Sequence, residues 1–180
     1  LNTLTDLETF MVVNDRLTES KEHLSAALTE LNNNNTNTSL YRLAYGIERL
    51  NSAHSWSIFF GKKGRKFDIN KEVLDESCLK KISEVEERIQ YLELYLPSGT
   101  EEDKKAVREA QNYYNSNQPE LCLHKATIAK ARVDLILNNI AIDVDELDLV
   151  IKDRSDIVRS IIAKQNQREI FPLLGYSYYE

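Results

Sequence analysis

Six apolar residues, Cys78, Ile82, Val85, Ile89, Leu92 and Leu96, recur at alternating intervals of four and three without a miss. Only a helix with 3.6 residues per turn brings such positions onto one stripe. Glu84, Glu86, Glu87 and Arg88 fill the other side. Cys122, Ala126, Ala129, Val133, Ile136 and Ile140 repeat the spacing. Each pattern lasts only a few turns, which marks bundle core and not an extended coiled coil. The chain has 5 Gly and 3 Pro in 180 residues, too few for the tight turns of a many-stranded sheet. The expected fold is therefore all-α, an antiparallel helical bundle or helical-hairpin array of about six or seven helices. It fits a single domain over residues 1–180, or two helical halves, 1–68 and 69–180.

The remaining segments read the same way. Phe10, Leu17, Leu24 and Leu31 recur every seven residues on a first helix from about Thr5, with Thr5-Asp6-Leu7-Glu8 as a capping box. Asn14-Asp15 is a point where that helix could break. The polar run 32–38 is expected to be a solvated loop. Ser39 is expected to cap a second helix with Leu40, Leu43, Ala44, Ile47, Leu50, Ala53, Trp56 and Phe60 on one side, ending at Gly61. Asn70 caps the third helix, and Pro97-Ser98-Gly99 stops it. Thr100 and Asp103 open a shorter one with Val107, Ala110 and Tyr114 inside, and Pro119 starts the next. Asp143, Asp145, Glu146 and Asp148 lead into a long helix with Leu147, Val150, Ile157 and Ile161 on its apolar side. Pro172 restarts the chain as a helix through the tyrosine-rich end. Residues 1–60 and 101–140 share a helix–polar loop–helix order resembling tetratricopeptide pairs. They lack the consensus Trp and Gly positions and any fixed period, so a helical-hairpin array is the better description.

The formal net charge is −6. An acidic surface disfavours nucleic-acid binding unless a local basic patch supplies it. The run Lys62, Lys63, Arg65, Lys66 near Phe59, Phe60 and Phe67 is the one candidate; it is read as cations complementing a helix C-terminus. No apolar run approaches the roughly 20 residues of a membrane-spanning helix. Cys78 and Cys122 both fall on apolar stripes and are read as small core residues; a disulfide between them cannot be assigned from sequence. The polar loop carries two glycosylation sequons, at Asn34 and Asn37.

Candidate chemistry is sparse. Arg49-Leu50-Asn51-Ser52-Ala53-His54 resembles the Arg-x4-His motif of HEPN ribonuclease domains, small helical bundles in which the two residues stabilise and protonate a phosphodiester transition state. Leu50 stands where that family carries a polar residue, the motif falls early in the chain, and Trp56 to Phe60 read as core. The acidic stretch 143–148 lacks the Gly and terminal Glu of a calcium loop and reads as an acidic first turn. His23, His54 and His124 lie on different predicted helices without ligand spacing. No phosphate loop, Cys-x-x-Cys pair or Gly-x-Ser-x-Gly elbow occurs. The tyrosine pairs 113–114 and 178–179 read as core-edge packing. No catalytic, cofactor-binding or metal-binding residue is assigned, and no cofactor is expected.

Three further phrases occur together: Leu40-Tyr41-Arg42-Leu43-Ala44-Tyr45-Gly46-Ile47-Glu48-Arg49, Ala126-Thr127-Ile128-Ala129-Lys130-Ala131, and Leu174-Gly175-Tyr176-Ser177-Tyr178-Tyr179-Glu180. They resemble the helical region that follows the Lon-like Ser-Lys protease domain in some exported archaeal proteins. The resemblance covers most of the chain. It implies a piece of a longer protein whose peptidase activity lies in a neighbouring domain, and a location outside the cell or tethered to its membrane. The absence of an initiating Met and the abrupt end agree with a fragment. The expected function is a non-catalytic accessory or protein-interaction domain, binding a protein partner or a neighbouring domain of the same chain. The alternative is a HEPN-like RNA-cleaving domain using Arg49 and His54.

Overall fold

The computed structural model describes residues 1–62, 64–140 and 147–179. It is all-α. The helices are α1 (Leu4–Asn32), α2 (Thr36–Ser57), α3 (Lys71–Glu93), α4 (Glu101–Asn115), α5 (Pro119–Ile140), α6 (Leu147–Gln167) and α7 (Leu173–Tyr179). The chain divides into two units: Leu1–Phe67 with Glu169–Leu174, and Asp68–Arg168 with Gly175–Glu180.

The second unit follows the four-three spacing closely. α5 packs on both α3 and α4, and α3 meets α4. Cys78, Ile82, Val85, Ile89 and Leu92 from α3 meet Val107 and Ala110 from α4 and Cys122, Ala126, Ala129 and Val133 from α5 in one buried cluster. Ile136 is partly buried against it. The stripes outlast the core: Leu96 lies beyond the end of α3, and both Leu96 and Ile140 are exposed. Asn70 caps α3 as expected, its side-chain oxygen accepting from Glu72 N at 2.8 Å. Pro119 is the first residue of α5, where its missing N–H costs nothing. Thr100 precedes α4 but makes no side-chain cap; its hydroxyl donates to Glu93 Oε1 at 2.9 Å.

The cysteines do not behave as independent core residues. Cys78 and Cys122 are joined by a disulfide that ties α3 to α5, with Cα atoms 5.8 Å apart and neither residue exposed. That separation is within the range a disulfide spans. Sequence spacing carried no sign of the pairing, because 44 residues separate the two positions.

The first unit is a long antiparallel helical hairpin, and here several expectations fail. α1 starts two residues early, capped by Thr3, whose hydroxyl accepts from Asp6 N at 3.0 Å. Asp6 therefore holds the N3 position of the box, and it turns outward to accept from Gly61 N at 2.9 Å. These amide contacts hold its carboxyl below the usual range, the Gly61 bond contributing most. α1 does not break at Asn14; the Asn14 side chain donates to Phe10 O and the helix runs on to Asn32. The polar loop shrinks to residues 33–35, where Asn34 adopts a left-handed φ of 60°. Asn37 lies in the first turn of α2. Ser39 is no cap. It sits inside α2, buried, and its hydroxyl donates to Ala27 O across the hairpin at 2.8 Å. Residues 2–3 run alongside 66–67, through a Thr3–Lys66 bridge and a Phe67 N to Asn2 O bond at 2.9 Å. Arg65 N donates to Glu169 O. Of the basic run, Lys66 lies in the bridge to Thr3 and the Arg65 guanidinium sits over the Phe67 ring, while Lys63 is outside the described residues.

α6 keeps its amphipathic pattern, but within its own unit it packs against none of α3, α4 and α5. Leu147, Ile157 and Ile161 of its apolar face are exposed. Asp143, Asp145 and Glu146 lie outside the described residues.

Candidate interaction surface

Between residues 20–27 of α1 and 39–46 of α2 the helices meet through small residues, while Leu7, Met11 and Val12 are buried nearer the start of α1. Ser20, Ala27, Ser39, Gly46 and Ala53 are buried. Ser20 Oγ donates to Gly46 O at 2.8 Å, matching the Ser39–Ala27 bond one heptad away. Serines in these positions satisfy their own hydroxyls on the opposite backbone, so they cost little to bury. Gly46 has no room for a side chain. A Cβ there would stand 3.1 Å from Leu24 Cγ and 3.3 Å from Ser20 O. Small residues at 39, 46 and 53 therefore fix how closely the helices approach.

This seam turns the larger side chains outward. At about 100° per residue, Leu40, Leu43, Ile47 and Leu50 point some 40–120° away from the seam direction of Gly46. By the same rotation Leu28 and Leu31 of α1 leave the seam on the same side, because the two helices run antiparallel, while half-buried Leu24 stays against Gly46. The apolar stripe read from the sequence is an outer face: Leu28 is 65% exposed, Leu40 59%, Leu43 40% and Ile47 47%. The opposite side of the hairpin is polar and knitted together. The His23 and Tyr45 rings lie 4.3 Å apart. The Arg49 guanidinium sits 4.7 Å above Tyr45, with Nε 3.5 Å from Glu19 Oε2 and 3.2 Å from Glu48 Oε2.

That arrangement separates Arg49 from His54. Both lie on the uninterrupted α2, and five residues of helix rotate them about 140° apart. Arg49 is occupied on the polar side, while His54 is exposed on the apolar side. The expected packed surroundings are also looser: the Trp56 and Phe59 rings meet at a tilt with centroids 5.8 Å apart, but Phe60 is exposed.

Two acids stand apart from this face, Glu8 partly buried and Asp103 buried. Burial is the main influence on Glu8, raising its carboxyl to about 7 against the pull of the Leu174 and Leu173 amides; Glu8 Oε2 accepts from Leu174 N at 3.1 Å. It anchors the start of α7, whose Leu173 is buried. Asp103, in the first turn of α4, is also raised chiefly by burial, with Arg132 opposing. Arg132 bridges it at 3.4 Å and Glu102 at 2.7 Å, which clamps α5 to the start of α4. An open groove of about 370 Å³ runs between α3 and α4, lined by Ile89, Glu93, Lys104 and Val107 among others. Lys104 and Glu93 pair across it at 2.5 Å, so its polar groups satisfy one another. Among the described residues no cluster of His, Cys, Asp and Glu is placed to hold a metal ion, and no helix is long and apolar enough to cross a membrane. No family model, curated protein or solved structure matches this chain.

Proposed function

We propose that this chain is a non-catalytic helical interaction domain that works through the leucine face of the α1–α2 hairpin. The observation that supports this most is the inversion of α2. Its small residues face α1, and its large apolar residues face outward beside those of α1. A contiguous apolar surface of this kind on one hairpin marks a contact site. The resemblance to the region following a Lon-like protease domain adds the setting: an accessory segment of a larger exported protein, positioning a partner or a neighbouring domain. The Cys78–Cys122 disulfide supports an oxidising compartment, where such bonds persist. The exposed sequon at Asn34 agrees with it; Asn37 is exposed too, but Ser39 of its sequon is buried.

The test is a photo-reactive residue at position 47 in the intact protein in its own cells. An adduct forming there, with a control at Tyr41 on the polar side giving none, supports an interaction face. No adduct at position 47 contradicts it.

A further inference from the structure

We infer that the partner of the leucine face is the same face of a second copy, the two hairpins closing into a four-helix bundle. This rests on the hairpin being an interaction surface and adds what covers it.

Three observations carry it. The first is construction. Leu7, Met11 and Val12 are buried near the start of α1, but α2 buries only Ser39, Gly46 and Ala53, so the part of the hairpin nearer its loop covers few of its own large apolar side chains. It resembles half of a four-helix bundle, in which neighbouring helices approach closely and large side chains from all four fill the centre. The second is area. Leu28, Leu31, Leu40, Leu43, Ile47 and Leu50 are each between 40% and 65% exposed. Together they leave roughly 550 Å² per copy in water, so a face-to-face pair that covers them completely removes about 1,100 Å², close to the roughly 1,000 Å² that a specific interface should clear. The third is charge. The chain carries −6, so two copies repel over most of their surface. The leucine face has no carboxylate; Lys21 and His54 sit at its rim. It is the part of the hairpin that two acidic copies can share. A two-fold pairing of identical faces also closes on itself and leaves no free end for further addition.

The measurement is sedimentation equilibrium of the full 180-residue chain. The wild type should be a dimer in the low micromolar range. Ile47→Asp should raise its dissociation constant at least 100-fold, since it puts two like charges into the centre of the pair. Tyr41→Asp, the same charge on the polar side, should change it less than threefold. Residue 47 is half-exposed in the single copy, so Ile47→Asp should keep the helical circular dichroism of the wild type. Should that variant lose its helix, Leu40→Asn serves instead, without introducing charge. Photo-crosslinking from position 47 should join α1 or α2 of one chain to α1 or α2 of another.

A wild type that stays monomeric at about 100 μM overturns the second copy, as does a dimer that tolerates Ile47→Asp. A crosslink from position 47 to α6 of the same chain overturns it too. If a crosslink in cells leads to a different protein, the second copy fails while the interaction face stands. If position 47 gives no adduct at all, both fail.

Discussion

Breaking the bond between Cys78 and Cys122 gives the sharpest prediction about stability. The bridge closes a loop across a sequence separation of 44 residues. In the chain-entropy relation, a loop of that size restricts the unfolded chain by about 4 kcal/mol near room temperature. Comparing oxidised and reduced forms of the same protein leaves every other side chain unchanged. The assay is urea unfolding followed by circular dichroism at 222 nm, with and without prior reduction under denaturing conditions. With a slope of about 2 kcal/mol per molar urea, the midpoint of the second unit should fall by about 2 M. Both sulfurs are buried, so a reductant added to the folded protein should act only as fast as the unit opens. Equal midpoints for the two forms would refute the argument. So would uptake of an alkylating reagent at both cysteines when the unreduced protein is denatured.

Glu8 carries a pH dependence whose sign follows from its burial. Its folded-state pKa, about 7, lies above the ordinary glutamate value of 4.5, so the folded chain holds the proton more tightly between those limits. Stability from this group is full below about pH 4.5 and is lost as the pH rises through 7. Glu8→Gln should therefore melt higher than the wild type at pH 8, by an amount worth about 1–3 kcal/mol, with the difference vanishing near pH 4.5; a gap that grows towards acid contradicts this. Gly46→Val should lower the stability of the hairpin by about 1–3 kcal/mol, because a side chain there must displace Leu24 and the Ser20 carbonyl; an unchanged melting curve would show that the seam has slack. The purified chain should cleave neither RNA nor casein above a blank. RNA cleavage abolished by His54→Ala would instead establish the ribonuclease reading.

The three-helix core was legible because its logic is apolar periodicity. Cys78 to Leu92 and Cys122 to Val133 are buried where the four-three pattern puts them, and Asn70 and Pro119 mark helix starts by local chemistry that needs no tertiary information. The hairpin was misread because the same rule was applied to α2. Leu40, Leu43, Ile47 and Leu50 form the more hydrophobic stripe, yet the backbone of α1 lies against Ser39, Gly46 and Ala53. Hydrophobicity scores a seam of Ser, Gly and Ala as neutral. The readable signal was their strict seven-residue spacing, opposite Ser20 and Ala27, which are also seven apart. Ser39 illustrates the ambiguity: a serine near a helix start is an ordinary cap by propensity, and only the partner helix shows that its hydroxyl bonds across the hairpin. The disulfide and the raised pKa of Glu8 depend on contacts between residues far apart in sequence, which no local pattern encodes.

The claim that the leucine face is covered when the protein works is tested most directly by thiol accessibility in place. Ile47→Cys and Tyr41→Cys variants each add one reactive thiol to a chain whose own cysteines are bonded and buried. Both positions are exposed in the single chain. Labelled with a maleimide in the native setting, Cys at position 47 should react at least tenfold more slowly than Cys at position 41, and the two rates should converge when the protein is diluted and its contacts dissolve. Equal rates in the native setting would mean that the face stands open to water, contradicting the account.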